Sequence, residues 1–191
     1  MRYLMVLFMI CILHDFTVAQ GFKGSLILGV NAAQIDGDSL YGFNKGGISV
    51  GGRLSYTNDK SWDVCMEMLY SQRGSAIEFF TSNENWKNSL NYLEIPVIFH
   101  LKDWYSDKDE YYKVRAESGI SYGYLFQVKS PVFDEEIFKK HDVSWLVGVG
   151  YNFNKHLGIG IRYTSSFTKV VDNDISQFHS YFLTIRTEYT F

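Results

Sequence analysis

The sequence predicts an all-β protein: an eight-stranded antiparallel up-and-down transmembrane β-barrel of the outer-membrane type, following a cleaved signal peptide. Three observations carry this. Eight stretches alternate apolar with small or polar residues at a period of two, the pattern of a strand with two unlike faces. The connections between them run alternately long and short, as short periplasmic turns and longer outer loops do. The apolar face gathers aromatics near strand ends, where hydrocarbon meets water.

Composition is consistent with this. Of 191 residues, 46% are hydrophobic and the net charge is −3, which argues against a disordered chain and gives no basic stripe for nucleic acid. Aromatics at 17% with only two prolines favour strands. At the N-terminus, Arg2 precedes an apolar run, Tyr3–Leu13, and Thr17 and Ala19 occupy the −3 and −1 positions of a cut before Gln20. The run is shorter than the roughly 20 residues a spanning helix needs. The expected division is therefore a signal peptide over 1–19 and a barrel domain over 20–191, exported to the cell outer membrane. Cys11 falls within the signal, so Cys65 is left without a disulfide partner and reads as a small buried hydrophobe.

The strands follow in order. Phe22–Ala32 sets Phe22, Leu26, Leu28 and Val30 against Lys23, Ser25, Gly29 and Asn31. Asp36–Gly46 is a Gly- and Asp-rich loop. Gly47–Tyr56 and Trp62–Arg73 form a hairpin across the turn Thr57–Lys60. After a polar loop at Gly74–Ser89, Leu90–Lys102 and Tyr111–Phe126 form the second hairpin. Gln127–His141 is a charged loop, and Val143–Phe153 and Leu157–Phe167 form the third hairpin. Thr168–Gln177 leads to the closing strand, which ends on Tyr189 and Phe191. A terminal aromatic on an alternating strand resembles the sorting signal of outer-membrane barrels, and Phe191 is assigned that role. Pro96 cannot donate to a ladder and a closed barrel has no edge, so a bulge or break in pairing is expected there.

The polar face decides which side is inward. A solvated surface is rich in Lys and Glu; this face is Gly, Ser, Thr and Asn with single Arg and Glu residues. The lumen of an eight-stranded barrel is just wide enough for side chains to fill. Glycines at 119, 123, 148, 150, 158 and 160 leave room for Arg53, Arg115, Arg162 and Arg186, and buried arginines require carboxylates. Glu67, Glu94, Glu117 and Glu188 are the candidates, giving an internal ion network in place of a water-filled pore.

Three stretches, GDSLYGFNKGGISVGG at Gly37–Gly52, EMLYSQRGS at Glu67–Ser75 and NYLEIPVIF at Asn91–Phe99, resemble the PorT-like family of Bacteroidetes outer-membrane barrels. The resemblance spans essentially the whole mature chain and implies an eight-stranded barrel in the outer membrane. Some members of that family serve the type IX secretion system, so it also implies a scaffold or interaction module with secretion-system proteins as partners. Outer-membrane lipid, lipopolysaccharide and the barrel-insertion machinery are the other expected partners.

No stretch carries a strong chemical motif, and no catalytic, cofactor or metal residue is assigned. Asp36, Asp38, Ser39 and Asn44 could offer loop oxygens to Ca²⁺, but their spacing is not that of an EF-hand, and a solvated turn accounts for them. Asp172-Asn173-Asp174 reads the same way. His100, His141, His156 and His179 lie on separate elements without metal-ligand spacing. Two alternative functions stand beside the scaffold. One is a barrel enzyme modifying outer-leaflet lipid through the rim residues His141 and His179 with Ser144 and Ser180. The other is a soluble, lipocalin-like ligand-binding barrel.

Overall fold

The computed structural model describes residues 21–36, 45–57, 61–76, 87–130, 137–169 and 179–191. Eight strands run in chain order: β1 (Phe22–Asp36), β2 (Lys45–Thr57), β3 (Trp62–Ala76), β4 (Lys87–Ser106), β5 (Tyr111–Lys129), β6 (His141–Asn152), β7 (Leu157–Ser166) and β8 (His179–Thr190). Each pairs antiparallel with the next, and β8 returns to β1, so the barrel is closed. The closing seam runs from Ser25 opposite Thr190 to Asp36 opposite His179. Closure satisfies every ladder without an open edge, which is what the hydrocarbon region of a membrane demands.

The polarity of the two faces is inverted relative to a water-soluble barrel. Leu26, Leu28, Met68, Val149 and Ile161 project outward, with Leu28 62% exposed and Val149 61%. Arg53, Glu67, Arg73, Glu94, Arg186 and Glu188 project inward and are buried. Aromatics stack along the outer face. Trp145, Tyr163 and Tyr181 form a run across β6, β7 and β8, with ring centroids 5.5 and 6.5 Å apart. At the opposite end Tyr151 meets Phe153, and Tyr189 meets Phe191, edge to face. These are two girdles, one at each end of the strands.

The strands outrun the alternation that identified them, mostly toward the loop end. β1 continues to Asp36, β3 to Ala76 and β5 to Lys129, while β4 takes in Lys87–Ser89 before and Asp103–Ser106 after its expected span. A crossing needs only about 9–11 residues, so the 20 residues of β4 project beyond the apolar band. Loop-like composition in these extensions reflects their position in water, where backbone pairing persists without an apolar outer face.

Pro96 sits in the ladder as physics requires. The β3–β4 register is the same on both sides of it, Met66 opposite Val97 and Leu69 opposite Glu94, but no pairing falls at Pro96 itself. On its other side Pro96 remains opposite Ser121. The register shift of β4 lies elsewhere, between Asn91 and Tyr92.

The lumen holds more apolar surface than the polar face of the sequence suggests. Ile27, Leu69, Ile98, Leu146 and Phe182 all point inward and are buried. At the loop end Leu90, Tyr92 and Leu125 pack with Phe138, which precedes β6, and Ile137 and Val128 lie against them. A stretch read as charged loop thus contributes an apolar cap.

Candidate functional site: the charged lumen and its two mouths

Alternation on β2, β3, β5, β7 and β8 delivers Arg53, Glu67, Arg115, Glu117, Arg162, Arg186 and Glu188 to one region of the lumen. Glu67 is at its centre. Its Oε1 lies 2.8 Å from Arg53 Nη2 and 3.2 Å from Arg186 Nη1, and its Oε2 lies 2.8 Å from Arg162 Nη1. Glu117 receives Arg162 Nε at 2.7 Å and Arg186 Nη2 at 2.9 Å. Glu188 receives both terminal nitrogens of Arg53 at 2.8 Å, Arg115 Nη2 at 2.7 Å and Arg186 Nε at 2.9 Å. Arg53 and Arg162 each bridge two carboxylates and Arg186 bridges all three, so the cluster links five strands across the barrel. Paired arginine–carboxylate geometry of this kind is the strong form of the hydrogen bond.

Room for it comes from glycine. A Cβ on Gly150 would stand 2.5 Å from Arg115 Cζ, and one on Gly148 would stand 2.7 Å from Glu117 Oε1. The Arg115 guanidinium lies against the β6 backbone because nothing projects there, and its Nη1 donates to Asn152 Oδ1 at 2.9 Å.

Glu94 stands apart from this cluster. It belongs to a second one nearer the loop end, where Arg73 Nη2 lies 2.8 Å from Glu94 Oε1 and Arg73 Nη1 lies 2.6 Å from Asp142 Oδ2. The Arg73 guanidinium is sandwiched between Tyr92 and Phe182, 4.5 and 4.4 Å from the ring centroids, a cation–π arrangement at a buried position. Asp142 also accepts from Ser144 at 2.7 Å, from Thr168 at 2.6 Å and from Ser166. Two clusters thus replace the single expected one, because Glu94, opposite Leu69, lies further toward the loop end than Glu67 and meets Arg73 there.

Arg73, Asp142 and His100 are members that sequence reasoning did not assign. Arg73 has the same parity on β3 as Glu67, which is the signal that could have found it. Asp142 falls between the expected loop, which ends at His141, and the expected strand, which starts at Val143, whereas β6 already begins at His141. His100 Nε2 lies 3.3 Å from Glu117 Oε2, and its Nδ1 lies 3.4 Å from Cys65 Sγ. Cys65 is 1% exposed and packs with Ile98 and Leu146.

The turn end of the lumen opens into a vestibule of about 670 Å³. Its floor is formed by Arg53, His100, Arg115 and Glu188, and the deeper Glu67, Arg162 and Arg186 do not line it. Lys23 projects into it, and Lys102 and Lys155 line it as partners of Asp63 at 2.7 Å and Glu110 at 3.3 Å. Phe191 sits at the same mouth, 64% exposed, its N–H donating to Gly24 O at 3.0 Å.

The rim residues considered for lipid chemistry do not converge. His141 is exposed on the outer face, where Tyr122 Oη lies 2.6 Å from its Nδ1. Ser144 points inward and is fully buried. His179 and Ser180 are neighbours in one strand, so their side chains take opposite faces. The acidic stretches at Asp36–Asn44 and Asp172–Asp174 lie, apart from the backbone of Asp36, outside the described residues.

Comparison with known proteins locates this architecture. A family model described as outer membrane protein beta-barrel domain matches residues 16–172. No curated protein sequence matches the chain. Among solved structures, neisserial surface protein A (NspA) aligns with a TM-score of 0.54 at 13% identity, covering 90% of this chain and 98% of that one. Ail, the attachment invasion locus protein of Yersinia pestis, solved with the heparin analogue sucrose octasulfate, aligns with a TM-score of 0.52 at 14% identity, covering 90% and 100%. At such identities the likeness is one of fold.

Proposed function

From the premise that the chain belongs to the outer membrane protein beta-barrel domain family, and so resides in the outer membrane, we propose that it works as a non-enzymatic scaffold or interaction module. The observation that supports this is the filled lumen. Seven interlocked buried charged side chains, three of which form the vestibule floor, occupy the space that a channel would need. With the interior committed to packing, the surfaces left for function are the outer wall and the two mouths. The separation of His141 from Ser144 and of His179 from Ser180 onto opposite faces favours this reading over a lipid-modifying enzyme. The apolar outer wall argues equally against a soluble ligand-binding barrel.

Within that reading, the likeness of the stretches at Gly37–Gly52, Glu67–Ser75 and Asn91–Phe99 to PorT-like barrels favours service to a protein secretion system. The test is the native mass of the protein extracted from its own outer membrane in mild detergent. A large assembly with reproducible secretion-system companions is the expected result. A lone monomer under several extraction conditions would overturn the secretion role.

A further inference from the structure

The central cluster is not electrically balanced. Four guanidinium groups, Arg53, Arg115, Arg162 and Arg186, share three carboxylates, Glu67, Glu117 and Glu188. Among the described residues, the ion pairs of these four arginines within 4.0 Å involve no other acid. One positive charge is in excess, and a buried charge without its counterpart is costly.

The excess lies toward the vestibule. Arg115 is the least well coordinated of the four. Its Nη2 is close to Glu188, but neither Nη2 nor Nε makes an aligned hydrogen bond, although both are buried. Its Nε is 3.9 Å from the nearest carboxylate, on Glu117. Arg115 lines the cavity, and so does Lys23, which has no acid partner among the described residues. The remaining vestibule charges cancel in pairs, Lys102 with Asp63 and Lys155 with Glu110. The cavity side chains therefore carry an excess of two positive charges, one on Lys23 and one shared over the arginine cluster that Arg115 presents, set against the α-carboxylate of Phe191 at the same mouth.

We infer that the vestibule is a binding site for a phosphate-bearing anion, held by Lys23 and drawn by the excess charge of Arg115. A phosphate monoester carries about −1.5 to −2 charges at neutral pH, opposite in sign to this excess. A low-dielectric floor strengthens the attraction, and a cleft of one sign of charge concentrates counter-ions. The volume of about 670 Å³ exceeds a bare phosphate, so there is room for the organic part of the molecule. Tyr105, Tyr112 and Phe191 line the same cavity and offer that part an apolar contact. The phosphate can belong to a soluble monoester or to the headgroup of a phospholipid from the adjoining leaflet.

The experiment uses isotopically labelled full barrel in an uncharged maltoside detergent. The backbone amide of Lys23 and the Nε–H of Arg115 are followed by NMR during titration with inorganic phosphate, with glycerol 3-phosphate and with dihexanoyl phosphatidic acid. Sodium chloride at equal ionic strength is the reference. Lys23→Gln tests the site, and Lys169→Gln, an exposed lysine at the loop end, controls for general charge; heat-modifiable migration shows that both variants are folded. Saturable shifts weakened at least fivefold by K23Q and less than twofold by K169Q are expected. Saturation by either soluble phosphate identifies a soluble ligand, and saturation by the lipid alone identifies a headgroup. Shifts no greater than those of chloride, or equal weakening by the two variants, overturn the inference.

Discussion

Glu67 is where the charged lumen is most exposed to test. Its two oxygens face three guanidinium groups, from Arg53, Arg162 and Arg186, at 2.8–3.2 Å. Glu67→Gln keeps the shape and volume but removes the charge, leaving four arginines with two carboxylates around a fully buried position. Removing one partner of a buried ion pair costs about 3–5 kcal/mol, because the remaining charges stay desolvated and unmatched. With a urea slope of about 2 kcal/mol/M, the unfolding midpoint should fall by roughly 2 M. The assay is reversible urea unfolding in lipid vesicles, followed by tryptophan fluorescence and by the heat-modifiable shift in electrophoresis. A second substitution sharpens the result. Arg186→Gln in the E67Q background returns the excess to a single positive charge, so the double variant should be less destabilised than the sum of the two single ones, by about 1–3 kcal/mol. A midpoint within about 0.25 M of wild type for E67Q would show that the cluster is hydrated, and the argument for a sealed lumen would fail. Strict additivity in the double variant would show that the members act as independent pairs.

Other outcomes follow from the same structure. The purified protein in a planar bilayer should show no conductance of porin size, whereas E67Q combined with Arg162→Ala should raise leakage through the enlarged lumen; steady porin-like channels from the wild type would refute the filled interior. Gly150→Val places carbon within 2.5 Å of Arg115 Cζ and should cost about 1–3 kcal/mol by overpacking. Gly24→Ala, whose added carbon meets only the Phe191 ring at 3.5 Å, should stay within about 0.5 kcal/mol of wild type by the same unfolding assay. Leu28→Arg on the outer wall, where Leu28 is 62% exposed, should cost about 2–4 kcal/mol in vesicles if it lies near the bilayer midplane. A surface position on a soluble barrel would instead tolerate the arginine.

Much of this protein is determined by its sequence alone, because a strand's two faces are written at a fixed period. Leu26, Leu28 and Val30 against Ser25, Gly29 and Asn31 settle which face each residue takes on β1, and the same parity holds around the barrel. Alternating long and short connections settle the antiparallel order, and the scarcity of Lys and Glu on the small-residue face settles which side is the lumen. Parity also brings every arginine and glutamate of the charged clusters inward. It cannot say which of them meet, since that depends on stagger between strands and on depth along the axis. Only the closed barrel placed Glu94 with Arg73 and Asp142, apart from Glu67, and set His100 between Cys65 and Glu117. Only closure showed that Phe138 caps the outer end, and that four arginines converge on three carboxylates above an open vestibule. Contacts across the lumen join residues distant in sequence, 135 positions for Arg53 and Glu188, and no local pattern carries that information.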